Sequence, residues 1–259
     1  KPVRAWCAVP ARFLSKTPVK LRPFFAEPNR MSSIVTSTRA AEFREQLSRR
    51  VMVADGAMGT MFYSKGVFFN RCYDELNLSA PQMVKEIHQE YVKAADDILE
   101  THTFGANRAR LAAFGLGEKL QGINQAGVRI AREAAGDKAF VAGAIGPLGV
   151  RIEPLGPTSF AEARDIFREQ AQALFDSGVD LIVLETFYDL NEIREAIFAV
   201  REVVGPEMVI AAHVTVDDDG MMRGTDPETY TKKLDEWPCD VVGLNCSVGP
   251  KTALETIEQ

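Results

Sequence analysis

From Val51 onward the chain alternates short apolar runs with longer segments in which apolar residues recur every three or four positions. The runs cover 51–54, 97–99, 140–145, 181–184, 208–216 and 241–244. Most are continuous in Val, Ile, Leu and Ala rather than alternating with polar residues. Continuous runs of this length predict strands buried on both faces, as in a parallel sheet. The run at 97–99 is weak taken alone and gains support from the polar motif that follows it.

The intervening segments carry helix-start signals. Ser79 with Gln82, and Ser159 with Glu162, fit a capping box, in which side chain and backbone satisfy each other's unpaired donors. Asp226 before Pro227 places a cap ahead of a proline at the first helical position. Phe160, Ala163, Phe167, Ala171 and Leu174 recur at helical spacing and predict a stripe facing the sheet.

Alternating strands and helices imply right-handed crossovers and a parallel sheet. A doubly wound sheet normally opens with a G-x-G-x-x-G turn that cradles a phosphate. The first turn here, Asp55-Gly56-Ala57-Met58-Gly59-Thr60, lacks that spacing. Polar residues instead close nearly every run: Asp55, Thr101 to Thr103, Glu185, and Asn245 with Cys246. Functional groups gathered from many strand ends are what a closed barrel offers at its C-terminal face. The expectation is an α/β protein, a parallel (β/α)8 TIM barrel truncated after about six β/α units, since a whole barrel takes roughly 250 residues. Residues 36–259 would form this barrel, incomplete at its C-terminus.

Residues 1–35 read as a non-native or disordered extension. Residues 1–30 hold five prolines, several Lys and Arg, and one acid, Glu27. A basic, acid-poor leader could target an organelle, but such leaders are Ser-rich and amphipathic. Sequence upstream of a start at Met31 fits this segment better.

Composition narrows the classes. A net charge of −6 argues against a nucleic-acid partner, which would need a basic face. No run approaches the roughly 18 apolar residues of a membrane span. The four cysteines, Cys7, Cys72, Cys239 and Cys246, lie too far apart to suggest a disulfide framework, so a reduced, cytoplasmic setting is expected.

The chemistry-bearing candidates stand at the run ends. Asp55 could bind an amine or orient water, or it could be a turn aspartate bonded to its own backbone. Glu185 directly follows a fully apolar run, where a carboxylate is costly unless it is paired, and a functional role is the better reading. "LETHTF" at 99–104 resembles "LETF" at 184–187, which suggests equivalent geometry at two strand ends. Cys246 has no C-x-x-C partner, so spacing alone supports no metal site. His88 reads as a surface or packing residue and His213 as a satisfied core histidine. No lysine stands at a strand terminus, which disfavours a Schiff-base aldolase.

The motifs "ADGAMGT" (54–60), "ETHTFGAN" (100–107), "GAIGPLG" (143–149), "VLETFYD" (183–189) and "VGLNCSVGP" (242–250) together resemble the homocysteine S-methyltransferase family. That family includes the homocysteine-binding barrel of cobalamin-dependent methionine synthase and betaine–homocysteine methyltransferase. The stretch "GPLGVRIEPLGPTSFAEA" (146–163) is most similar to bacterial homocysteine methyltransferases fused to a methylenetetrahydrofolate reductase domain. The resemblance implies transfer of a methyl group to the thiol of homocysteine, giving methionine. It implies a zinc ion held by three cysteines, of which Cys246 is one and a later Cys-Cys pair supplies the others. It places homocysteine near Asp55, Gly56, Thr103 and Glu185. One position departs from the family pattern: His102 stands where Asn is usual. The donor stays open among a methylated cobalamin or folate, S-methylmethionine and betaine. Cobalamin or methylenetetrahydrofolate reductase domains are the implied partners. The alternative is a homocysteine-binding fragment without a full zinc site and without activity.

Overall fold

Segments of Val, Ile, Leu and Ala can be buried on both faces, and in the computed structural model, which describes residues 30–68, 71–94 and 96–259, they form one sheet. Its strands are β1 (Ile98–Glu100), β2 (Phe140–Ile145), β3 (Leu181–Phe187), β4 (Val209–Val214) and β5 (Val241–Leu244). All neighbours are parallel, and the order is β1-β2-β3-β4-β5. A doubly wound sheet reverses its strand order at a switch point, whereas this order runs on without reversal, as barrel staves do. The fold is therefore a parallel α/β barrel, open among the described residues between β5 and the segment before β1.

The run at 51–54 is reduced from the expected strand to a single parallel bridge, Ala54 to Ile98. Backbone bonds hold this segment beside β1, from the Asp97 N–H to the Val53 carbonyl at 2.7 Å and from the Asp55 N–H to the Ile98 carbonyl at 3.0 Å. The Asp97 carboxylate accepts from the Val53 N–H at 2.9 Å and from both ends of the Arg50 guanidinium at 2.7 and 2.8 Å. Asp180 and Asp240 accept in the same way from Val141 of β2 and Ile210 of β4, so this contact recurs at strand starts.

The helices are α1 (Arg30–Arg49), α2 (Met58–Ser64), α3 (Leu76–Ser79), α4 (Pro81–Lys93), α5 (Arg108–Ala112), α6 (Leu120–Ala135), α7 (Phe160–Asp176), α8 (Leu190–Val204), α9 (Pro227–Glu236) and α10 (Pro250–Ile257). Ser159 caps α7 by accepting from the Glu162 N–H, and Asp226 caps α9 by accepting from the Thr229 N–H. The expected cap at Ser79 is not formed. Ser79 ends α3, and its hydroxyl donates to Glu75 at 2.8 Å. Proline fixes the start of α4 instead, with Ala80 before it.

The two sheet faces bury different layers. Val141, Ile182, Leu184, Ile210 and Val214 face the helices and join the main core with Phe167, Leu174 and Ile197. Phe140, Ala142, Leu181, Val183, Val209 and Ala211 face inward and form a second cluster with Ala40 and Phe43 of α1. That helix, unforeseen in the sequence, closes the barrel floor; Phe43 meets Phe140 edge-on at 5.3 Å. It begins at Arg30, inside the segment expected to be an extension; residues 1–29 lie outside the described residues. Glu100 and His213 line the inner cavity, about 100 Å³ in volume.

Asp180 ties the floor to the sheet. It accepts from the Val141 N–H at 2.8 Å, from Arg132 at 2.8 Å and from Arg39 at 3.4 Å. Burial pushes its carboxyl up, but the Arg132 and Val141 hydrogen bonds outweigh burial and hold it below the usual range. A carboxylate depressed in the folded state contributes stability above its unfolded pKa of about 3.9, and that stability is lost as pH falls through the lower folded value. Asp180→Ala should cost about 3 kcal/mol at pH 7 in urea unfolding, because it strands a buried N–H and two cations. The deficit should shrink below pH 4, and a constant deficit would assign it to packing.

Candidate active site

At the C-terminal ends of the strands, chain geometry brings acids from three separate staves together. Asp55 follows the bridge at Ala54, Glu100 ends β1, and Glu185 lies in β3. The Asp55 N–H bonds the Ile98 carbonyl at 3.0 Å, and its buried carboxyl accepts from the Glu100 N–H at 3.0 Å. Tyr91 of α4 donates to the Ala57 carbonyl at 3.1 Å and so pins the turn after Asp55. Gly56 permits this close approach: a Cβ there would lie 3.1 Å from the Tyr91 hydroxyl oxygen.

The Glu100 and Glu185 carboxyls are close enough to act on each other's titration, and a proton between them would relieve their repulsion. Burial, followed by the negative charges of Glu185 and Asp55, raises Glu100 well above the usual range. Burial raises Glu185 to about 7 against the hydrogen bonds from Glu100 and Asn245. Burial is also the largest cause of the strong rise at Asp55, with Asp96 and Glu185 adding repulsion. Three acids in one dry rim make a site that a cation would relieve.

Asn245 joins this rim to the thiol. Its amide donates to Glu185 at 3.2 Å and to the Thr186 hydroxyl at 2.9 Å, and lies 3.4 Å from Cys246 Sγ. Its carbonyl oxygen accepts from the Thr186 N–H at 2.8 Å. Thr186, Cys246 and Ser247 all sit in the left-handed region, at φ of 64°, 60° and 53°. Each such residue stores roughly 1–3 kcal/mol and persists only when its surroundings enforce it. The result is an exposed Cys246 thiol beside the carboxylates. Burial of its sulfur, partly offset by the Thr186 hydroxyl, raises its pKa.

The remaining candidates separate. Thr103 is fully buried, but its hydroxyl bonds Thr101 at 2.6 Å and the Ala144 carbonyl at 2.8 Å. Its carbonyl accepts from Gln170 at 2.8 Å, so these bonds face the scaffold. His102 bonds the Tyr73 carbonyl at 2.8 Å and stacks at 4.7 Å on Phe62, which shows how the histidine is accommodated. His88 is packing rather than surface, with no exposed area. His213 points inward from β4, and Gly243 leaves room for it, since a Cβ there would lie 2.9 Å from the ring. Sequence named Asn245 as a strand-end polar residue but gave it no role, and Glu100 entered only through the repeated "LET".

Among the described residues, no group of three His, Cys, Asp or Glu side chains could hold a metal ion. Cys246 supplies one suitable sulfur without converging partners, so no chemical step is assigned to a metal. Among those residues, no helix is long and apolar enough to cross a membrane.

Residues 52–259 match the family model for homocysteine S-methyltransferase. The chain belongs to the homocysteine S-methyltransferase family. It is 34% identical over 220 residues to methionine synthase from Mycobacterium tuberculosis (strain ATCC 25618 / H37Rv), covering 79% of this chain and 18% of that protein. Methionine synthase from Mycobacterium leprae (strain TN) is 32% identical over 222 residues, at 80% and 18% coverage. The chain thus spans less than a fifth of the length of these relatives. Among solved structures, the metallated form of the homocysteine methyltransferase MmuM from Escherichia coli matches with a TM-score of 0.72 at 22% identity, covering 83% of this chain and 81% of that one. Its apo form matches with a TM-score of 0.65 at 20% identity, covering 82% and 78%. These likenesses establish the shared barrel fold.

Burial lowers the His88 pKa to about 3 from its ordinary 6.5, with His102 adding repulsion. The unfolded chain therefore takes up a proton near pH 6.5 that the folded chain refuses until about pH 3. Stability present above pH 6.5 is lost as pH falls through this window. Between pH 7.5 and 5, unfolding should show a loss of about 2 kcal/mol from this one group. His88→Leu should flatten that slope, and an unchanged slope would place the acid sensitivity elsewhere.

Proposed function

We propose that the chain binds homocysteine at the strand-end rim and serves methyl transfer to its thiol, giving methionine. The observation that carries this reading is that Asn245 links an exposed thiol to a carboxylate cluster in which Asp55 is buried and Glu100 and Glu185 are half-buried. The carboxylates of Asp55 and Glu185 suit the substrate ammonium, and Gly56, with no side chain, lets Tyr91 pack against the turn beside Asp55. Thr103 stiffens the wall behind them. Cys246 marks where the substrate sulfur would lie. Holding both ends of the substrate is an orientation effect, which converts binding into alignment for attack. In the reaction the thiol proton is lost, the sulfur pair forms the new S–CH₃ bond, and the donor leaves with the electrons of the broken bond to carbon.

Family membership supports this activity, and the relatives supply methionine as the product class. Zinc fits the sulfur chemistry of Cys246, because a bound cation stabilises thiolate over thiol. A methylated cobalamin or folate delivered by another domain suits a chain related to methionine synthases. A cytoplasmic setting agrees with a reduced Cys246.

The amine contact is tested by calorimetry with L-homocysteine and with 4-mercaptobutanoate, which lacks the amino group. The analogue should bind on the order of a hundredfold more weakly, since a site built for a hydrogen-bonding group rejects a ligand without it. Asp55→Asn and Glu185→Gln should each narrow that gap. Equal affinities for both ligands would remove the carboxylates from recognition.

A second reading is favoured by the absence of a three-ligand group among the described residues: these 259 residues bind homocysteine without transferring methyl. Elemental analysis of this chain should then give well under one zinc per molecule, and Cys246→Ser should remove what remains. A full equivalent of zinc with measurable methionine formation would overturn this reading.

A further inference from the structure

Behind Asp55, away from the rim, lies His88 in the middle of α4. Both groups are buried, at 3% and 0% exposure. The Asp55 Oδ1 atom is occupied by the Glu100 N–H, while Oδ2 has no protein partner. Neither ring nitrogen of His88 has one either. A buried polar group left unmatched costs roughly 1–3 kcal/mol, so two unmatched groups facing each other need an explanation. His88 Nδ1 lies 4.0 Å from Asp55 Oδ2. Closing about 1 Å of that gap would make an ordinary hydrogen bond, and one bridging water would serve the same end.

We infer that His88 is a positioning residue for Asp55, holding Oδ2 from behind so that the carboxyl is fixed for a substrate ammonium. The inference rests on the reading of Asp55 as an amine-binding group. One proton shared between Oδ2 and Nδ1 satisfies both atoms whichever of them carries it. The surroundings favour this device. Asp55 already faces repulsion from Asp96 and Glu185, and no Lys or Arg is among the groups that act on it. A neutral histidine supplies a donor without placing a second cation where the substrate's must go. Tyr91, one turn along the same helix, fixes the turn that follows Asp55, so α4 would hold both the carboxyl and the backbone next to it.

The test is L-homocysteine affinity by calorimetry for the unaltered chain, Asp55→Asn, His88→Leu, His88→Asn and the double variant Asp55→Asn/His88→Leu. Circular dichroism checks that each is folded. His88→Leu should weaken binding about tenfold. His88→Asn, which keeps an N–H at the Nδ1 position, should stay within about threefold of the unaltered chain. The double variant should bind no worse than Asp55→Asn alone, because coupled residues are not additive. Full additivity, or unchanged affinity in His88→Leu, would overturn the inference while leaving the amine-binding reading intact. Unchanged affinity in Asp55→Asn would instead overturn that reading and take the inference with it. Should His88→Leu not fold, His88→Asn is compared with His88→Gln, whose donor sits at the Nε2 position. Retention in the first and loss in the second support the inference, and equal affinities overturn it.

Discussion

Like charges placed together in a dry site repel, and the strand ends of this protein are organised around that repulsion. Asp55, Glu100 and Glu185 come from three staves separated widely in sequence, and burial raises all three. An isolated carboxylate would avoid such a place. Here Asp55 accepts from the Glu100 N–H and Glu185 from the Asn245 amide, neutral donors that leave charge in place, while Glu100 is raised by burial and by the acids beside it. The described arginines that pair with buried acids do so elsewhere, at Asp180 below the sheet and at Glu195 in the helical layer. Cations thus stabilise the scaffold, while the rim is left short of positive charge.

The scaffold makes that imbalance tolerable. The outer face of the sheet packs against the helices over a large apolar core, and the inner face is closed from below by α1. Side-chain amides in the wall serve the same purpose. Asn77 donates to the His102 and Ile123 carbonyls, and Gln170 to that of Thr103. The bonds to the His102 and Thr103 carbonyls satisfy the irregular backbone after β1, and the one to Ile123 ties it to α6. Left-handed residues near the end of β3 and after β5 can persist because the surrounding elements are fixed.

Sequence made the architecture legible because parallel strands buried on both faces are written as unbroken apolar runs. It showed the caps at Ser159 and Asp226, whose side chains act on their own helices. It misplaced the cap at Ser79, where Glu75 competes for the hydroxyl, and it overstated the strand at 51–54, which keeps a single bridge. The first error comes from a side-chain bond that periodicity does not encode. In the site, Asp55, Glu185 and Cys246 stood out by their places after apolar runs. Glu100 was visible only as an echo of Glu185, because its role depends on which strands become neighbours. Asn245 was visible as a strand-end polar residue, but its bonds to β3 depend on strand order and carried no sequence signal. The burial of His88 follows from the rotation of α4, which a single histidine in a helix does not reveal.

Asn245 has a consequence that reaches beyond its own bonds. It spans from β5 to the end of β3, across the intervening β4, and touches both the carboxylate of Glu185 and the sulfur of Cys246. The two poles of the rim are therefore parts of one rigid body rather than two loops that could drift apart. On the proposed reading, such a body acts as a ruler. It sets a fixed span between the place for an amine and the place for a sulfur. An amino-acid thiol shorter by one methylene could reach either pole but not both, so discrimination between cysteine and homocysteine would come from length rather than from any contact with the extra carbon.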